Sequence, residues 1–95
     1  MQTTAHDVTT TESHYVSTVL QKIWQELLRV PHIEPSDDFF DLGGDSHGAI
    51  RLLERIDREF GEELLEPDII YTARCFGDLA KAVTDALAHR AAKAS

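Results

Sequence analysis

The chain has 95 residues, a formal net charge of −8 and a single cysteine. This length predicts one domain with a modest core, too small to enclose a full catalytic pocket, and the acidic charge argues against nucleic acid as a partner. One cysteine excludes an intramolecular disulfide, and the lack of a membrane-length apolar run or a leader peptide predicts a cytoplasmic protein without a membrane partner.

The first predicted helix follows a threonine-rich segment. Residues 1–12 lack apolar periodicity and predict a flexible tail, so the domain is expected at residues 13–89, with a second tail at 90–95. The helix is predicted to begin within residues 11–13 and to end at Pro31. Its apolar residues recur every three or four positions and should face the core: Val16, Val19, Leu20, Ile23, Trp24, Leu27 and Val30.

A long loop separates the first two predicted helices. Residues 32–45 include Pro35 and show no helical pattern. Loops of this length in a compact domain are usually functional or held in place by their own side chains. Phe39, Phe40 and Leu42 are the predicted anchors, with at least one phenylalanine buried, and this anchoring would fix the position of Ser46.

Three further helices predict an all-α, four-helix bundle without a sheet. The second is expected at residues 46–60, ended by Gly61, and its predicted inner face is Ala49, Ile50, Leu53, Ile56 and Phe60. The third is short, beginning at Pro67 and ending at residues 71–72. The fourth begins at residues 75–76, reaches His89 and buries Phe76, Leu79, Val83 and Leu87. The predicted core is Val19, Ile23, Leu27, Leu42, Ile50, Leu53, Ile56, Leu79 and Val83.

Ser46 is the predicted functional residue because of its place at the start of the second helix. Asp45 is a strong N-cap type, so its carboxylate can accept from free amides of the first turn and leave Ser46 at the first helical position, with its hydroxyl outward. An anion on Ser46 would lie at the positive end of the helix dipole. These features indicate an exposed serine suited to a phosphate-type modification.

The surrounding motif resembles a peptidyl carrier protein of nonribosomal peptide synthesis. Residues 38–46 read Asp-Phe-Phe-Asp-Leu-Gly-Gly-Asp-Ser and are followed by Ala-Ile-Arg-Leu-Leu at 49–53. The similarity covers about residues 16–88, and the paired glycines resemble the peptidyl branch more than the fatty-acid carriers. It implies that Ser46 carries a covalent 4′-phosphopantetheine arm, that Asp45 serves as cap and recognition residue, and that the carrier itself catalyses nothing.

The resemblance also implies partners. A phosphopantetheinyl transferase would attach the arm, an adenylation enzyme would load it, and condensation, thioesterase or tailoring enzymes would use the thioester in natural-product or antibiotic biosynthesis. A monomer is expected, and the initiating Met1 favours a free-standing carrier. The paired-spacing pattern of a metal site is not found among the histidines.

Three alternatives compete with this interpretation. An acyl or aryl carrier of a polyketide or siderophore pathway would use the same serine, and an unmodified helical adaptor would use the same surface. Residues 44–48 also satisfy the G-x-S-x-G pattern of a serine hydrolase, but no strand-like run leads into them and the chain is too short for the sheet that pattern requires. His47 would project from a different side of the helix than Ser46, which makes it a poor general base.

The predicted partner surface surrounds Ser46. Its members are Leu42, Gly43, Gly44, His47, Gly48, Arg51, Ile69, Ile70 and Ala73. Exposed isoleucines on the third helix would suit a small, apolar and transient interface. The chain departs from the family pattern at two places, with Arg74-Cys75 where carriers usually have Pro-Thr and His47-Gly48 where a bulky apolar residue usually follows the serine. The missing side chain of Gly48 predicts open space beside the arm or for a partner's approach.

Overall fold

Four α-helices joined by loops make up the protein. The computed structural model describes residues 3–94, with side chains described over residues 14–91. The helices are α1 (Thr3–Leu28), α2 (Ser46–Phe60), α3 (Ile69–Thr72) and α4 (Phe76–Ala94). Across this span the only extended pairing is one isolated antiparallel bridge between Asp38 and Cys75. The predicted all-α bundle with a short third helix is therefore confirmed, and none of the described helices is both long and apolar enough to span a bilayer.

The core lies around one tryptophan on α1. Trp24 has no exposed surface, and its ring meets the rings of Phe39 and Phe76 edge-on, each with 5.3 Å between ring centroids. These contacts join α1 to the long loop and to the start of α4. α1 also packs against α2. The other fully buried large side chains are Leu20, Ile23, Leu52, Ile56, Ile70, Leu79, Val16 and Val83.

The predicted start of the first helix is wrong. α1 begins at Thr3 rather than within residues 11–13, so helix covers most of the segment predicted as a tail. Residues 3–13 contain no proline or glycine, and extending a helix that is already nucleated by a packed half requires little free energy. The domain limits of 13–89 remain a prediction.

Three other helix ends also differ from the sequence prediction. α1 ends at Leu28 rather than at Pro31, because Arg29 takes a left-handed backbone conformation with φ +57°. α3 begins at Ile69, two residues after Pro67, which lies in a turn closed by the Ile69 N–H donating to the Glu66 carbonyl at 3.0 Å. α4 continues past His89 to Ala94, because its alanine-rich end favours helix. There Arg90 donates from Nη2 to the Glu62 carbonyl at 3.0 Å, which holds the end of α4 against the α2–α3 loop.

The bounds of α2 agree with the prediction, but its buried face does not. Ile50 was predicted to be in the core and is 58% exposed, whereas Leu52 is fully buried beside Ala49 and Ile56. Residues two apart on a helix point about 160° away from each other, so Ile50 and Leu52 cannot share one face. Three other predicted core residues, Val19, Leu27 and Leu42, are half-buried and pack against the buried cluster. Leu53, also predicted in the core, is half-buried.

Candidate functional site

Asp45 ends the long loop and caps α2. Its backbone is extended, with φ −136° and ψ −174°, and its Oδ1 accepts from the Gly48 N–H at 2.8 Å. Its carbonyl accepts from the Ala49 N–H at 2.8 Å, which is the first bond of the helix. Ser46 is consequently the first helical residue and its side chain is exposed, as the sequence predicted.

The first turn of α2 fits a phosphate ester on Ser46. Among the described residues, no acceptor contacts the backbone N–H groups of Ser46 and His47, whereas the next two N–H groups are satisfied by Asp45. The Asp45 carboxylate accepts from the Gly48 N–H and not from those of Ser46 and His47. An anion attached to the Ser46 Oγ would therefore meet two free donors and the positive end of a helix dipole.

Phe39 is the anchor that fixes the loop beneath this site. Its side chain has no exposed surface, and its carbonyl accepts from the Gly44 N–H at 3.0 Å. A Cβ at Gly44 would lie 2.3 Å from the Phe39 ring and 2.7 Å from the Phe39 carbonyl oxygen. Only glycine fits this close approach. Gly43 is needed for a different reason, because its φ of +107° is a conformation that residues with side chains rarely adopt.

Gly48 faces the same anchor. A Cβ there would lie 3.3 Å from Oδ1 of Asp45 and 3.4 Å from Cζ of Phe39. The prediction that Gly48 leaves open space beside the arm is therefore wrong: the capping carboxylate and the buried ring occupy that side. Because Gly48 has no side chain, the Phe39 ring can approach the first turn of α2.

Asp38 organises the first half of the loop. Its Oδ1 accepts from the Phe40 N–H at 2.8 Å and from the Asp41 N–H at 3.3 Å, and its Oδ2 lies 3.0 Å from Nε of Arg74. The Phe39 N–H donates to the Arg74 carbonyl at 2.9 Å. The loop that delivers Ser46 is thus tied to the segment between α3 and α4. This attachment was not evident from the sequence, because the two segments are far apart in the chain.

A shallow groove of about 320 Å³ opens beside Ser46, between α2 and α3. Its lining is mainly apolar: Ser46, Ala49, Ile50, Leu53, Pro67, Asp68, Ile70 and Tyr71. Ile50 and Tyr71 are 58% and 57% exposed, so two large side chains that line this groove are open to solvent. The hydroxyl that would be modified therefore lies at one end of an apolar surface.

The residues of the predicted partner surface differ in their exposure to solvent. Gly43, His47 and Arg51 are exposed, and four others are half-buried: Leu42, Gly44, Gly48 and Ile69. The prediction that Ile70 is exposed is wrong, since Ile70 and Ala73 are 1% and 7% exposed and face the core. A helix as short as α3 gives too little periodicity to identify its inner face from the sequence.

The sequence did not predict that Ile50 and Tyr71, rather than Ile70 and Ala73, are the exposed side chains beside Ser46. Ile50 was assigned to the core and Tyr71 was considered only as a helix end, yet both lie exposed on the groove. The 160° separation of Ile50 from Leu52 could have revealed that one of the two is outside, but not which one.

The hydrolase alternative does not fit the geometry. Turns, not a strand, lead into Ser46, and no hydrogen bond or ion pair joins His47 to it in the described part of the chain. A nucleophile elbow requires a strand entering the turn and a base that reaches the hydroxyl. Exposure, capping and free backbone donors instead suit a serine that is itself modified.

Residues 18–83 match the sequence profile of a family described as "Phosphopantetheine attachment site". The chain is 39% identical over 89 residues to the nonribosomal peptide synthetase otaB of Aspergillus carbonarius, covering 90% of this chain and 5% of that protein. It is 33% identical over 73 residues to a linear gramicidin synthase of Brevibacillus parabrevis, covering 77% of this chain and 1% of the synthase. It is 36% identical over 75 residues to the mitochondrial 10-formyltetrahydrofolate dehydrogenase of Mus musculus, covering 78% of this chain and 8% of the dehydrogenase. The chain thus spans less than a tenth of each of these relatives.

Proposed function

Because the chain belongs to the phosphopantetheine attachment site family, we propose that the Ser46 hydroxyl is the point at which its 4′-phosphopantetheine is attached. The observation that carries this assignment is the capped, exposed first turn of α2, where two N–H groups beside the hydroxyl have no acceptor in the part of the chain that the structure describes. On attachment, the Ser46 oxygen forms a phosphodiester bond, its proton passes to a base of the transferase, and the nucleotide part of coenzyme A departs.

The family match and the peptide synthetase relatives confirm the predicted resemblance to a peptidyl carrier protein. The bound group supplies a terminal thiol, on which an aminoacyl or peptidyl chain is held as a thioester. The protein contributes position and recognition, while the chemistry lies with the attached group and the partner enzymes. The chain itself acts without catalysing a reaction, and this part of the proposal is supported by the family's carrier role.

The proposed partners are those of a peptide assembly line: a phosphopantetheinyl transferase, an adenylation enzyme, and condensation, thioesterase or tailoring enzymes. An enzyme that receives the tip of the arm must also approach its base. The proposed contact surface is therefore the exposed rim around Ser46, namely His47, Arg51 and the groove residues Ile50 and Tyr71. Exposed apolar side chains of this size are natural on a transient docking patch.

The test is enzymatic modification of the purified protein with coenzyme A and a broad-specificity transferase, followed by intact-mass measurement. Wild type should gain the mass of one phosphopantetheine and Ser46→Ala should gain none, because the accepting oxygen is gone. Ser36→Ala removes another exposed serine hydroxyl of the same loop and should be modified as wild type. Equal modification of Ser46→Ala would refute the assignment, and labelling of Ser46 by a fluorophosphonate would restore the hydrolase alternative.

A further inference from the structure

The segment after α3 is bound to the loop ahead of Ser46 through three side chains, Arg74, Asp38 and Phe40, here called the Arg74 clamp. Arg74 Nε lies 3.0 Å from Oδ2 of Asp38, and the guanidinium carbon lies 5.2 Å from the centre of the Phe40 ring. The Asp38 side chain is 17% exposed and the Arg74 side chain 49% exposed, so the carboxylate end of this ion pair is partly shielded from solvent. A planar cation suits both the carboxylate and the aromatic face.

Phe40 also contacts α3. Its ring stacks on that of Tyr71, with centroids 5.9 Å apart and planes 11° from parallel. Tyr71 and Arg74 are three residues apart, at the end of α3 and just beyond it. One loop phenylalanine therefore contacts both residues, and the orientation of α3 relative to the loop depends on it.

α3 cannot maintain that orientation alone. It has four residues, its N-cap Asp68 makes no side-chain capping bond, and Ile70 is its one buried residue. Helices of this length are unstable without tertiary contacts. Ile69 packs against the core beside Ile70, and Ala73 is buried just beyond the end of α3. The Arg74 clamp and the Tyr71 stack add contacts to the long loop that oppose rotation of α3 about these residues.

The orientation of α3 determines the wall of the groove opposite α2. Ile70 and Tyr71 form part of that wall, and Ser46 lies in the same groove. A shift of α3 would therefore change the surface that an enzyme meets next to the Ser46 hydroxyl, without disturbing the Asp45 cap that holds the hydroxyl itself.

We propose that Arg74 is a positioning residue, which acts through Phe40 and Tyr71 to hold α3 in the orientation that an enzyme recognises when it acts at Ser46. The proposal rests on the proposed function of Ser46. The family resemblance implies proline where this chain has Arg74, and the clamp is inferred from the contacts of Arg74 in this chain.

The first measurement is the steady-state rate of modification by the transferase and coenzyme A, with the carrier as the varied substrate. Arg74→Ala should raise KM roughly fivefold at unchanged kcat, since recognition is weakened while the hydroxyl keeps its environment. Arg74→Lys keeps the charge but loses the planar group over the Phe40 ring, so its KM should lie between those of wild type and Arg74→Ala. Lys81→Ala breaks an exposed ion pair with Asp85 on α4 and should match wild type.

A double-mutant cycle tests the route of the effect. Phe40→Leu keeps an apolar side chain but removes the ring that both Arg74 and Tyr71 contact. If Arg74 acts through this ring, the double variant should have a KM no higher than the worse single variant. Additive effects, or an unchanged KM in both Arg74→Ala and Arg74→Lys, would overturn the proposal.

Amide hydrogen exchange provides a readout that does not depend on the transferase. The Ala73 N–H donates to the Ile69 carbonyl at 2.7 Å, so its exchange reports on α3. In Arg74→Ala this amide should exchange at least roughly tenfold faster, while amides in the middle of α2 remain unchanged. Equal acceleration in α2 would indicate a general loss of stability and would refute a positioning role. If wild type were not modified at Ser46, the proposed function would fail, while this exchange result would still decide whether the clamp holds α3.

Discussion

Gly43 and Gly44, in the loop ahead of Ser46, are required for different physical reasons. We therefore expect their substitution by alanine to lower the stability of the protein by different amounts. At Gly44 a Cβ would collide with the buried Phe39 ring and backbone, so Gly44→Ala must move the anchor of the loop. We expect the free energy of unfolding to fall by about 3 kcal/mol or more, the upper range for overpacking. At Gly43 nothing lies within 4 Å of the added atom, and the cost of Gly43→Ala is the positive φ alone, about 1 kcal/mol.

Urea unfolding followed by circular dichroism measures both variants. Gly43→Ala serves as the matched control, because it adds the same methyl group one residue away. A larger loss at Gly43 than at Gly44 would contradict the described packing of Phe39.

The Asp45 cap predicts a second difference between two substitutions at one position. Asp45→Ala removes the acceptor of the Gly48 N–H and should lower the free energy of unfolding by about 1 kcal/mol. Asp45→Asn retains a side-chain oxygen and a good capping residue, so its stability should stay within about 0.5 kcal/mol of wild type. Thermal melts of the three proteins compare them, and equal destabilisation by both substitutions would mean that the charge matters more than the hydrogen bond.

Leu52 and Ile50 lie on nearly opposite faces of α2, so we expect their truncation to alanine to have different costs in stability. Leu52 is fully buried, so Leu52→Ala should cost about 2–5 kcal/mol through lost contacts and the cavity it leaves. Ile50 is 58% exposed, and Ile50→Ala should change the free energy of unfolding by less than about 0.5 kcal/mol. Denaturant titrations of the pair decide the phase of the helix, and the opposite ranking would show that α2 is turned by nearly half a revolution.

The sequence was sufficient to predict features that are set locally. The bounds of α2 and the Asp45 cap depend on neighbouring residues, because a capping carboxylate and a terminating glycine act within one turn. The burial of at least one loop phenylalanine was also predicted, since a long loop in a small domain needs an anchor, and Phe39 is the one with no exposed surface.

Features set by distant contacts were predicted poorly. Whether Ile50 or Leu52 is buried depends on how α2 crosses its neighbours, and four residues of α3 give no period from which to place Ile70. The start of α1 was missed for another reason, because threonine has a weak helix propensity but a growing helix can override it.

On the scale of the whole molecule, the exposed rim of the groove predicts which surface partner enzymes contact. Arg51→Ala should raise the carrier KM for modification several-fold without lowering the melting temperature, because Arg51 is exposed on the first turns of α2. Lys22→Ala removes an equivalent exposed positive charge from α1 and should leave KM unchanged.

A raised KM for Lys22→Ala with normal values for Arg51→Ala would move the contact surface to α1.

The aromatic contact at the centre of the core has one more consequence. Trp24 is the only tryptophan of the chain, its indole N–H has no hydrogen-bond acceptor among the described residues, and its ring packs edge-on against Phe39. If Phe39 left its place, water would reach the indole and supply that acceptor, which shifts fluorescence emission to longer wavelength. The protein therefore carries an intrinsic optical reporter of whether the loop that delivers Ser46 is seated, readable without any label while a partner binds.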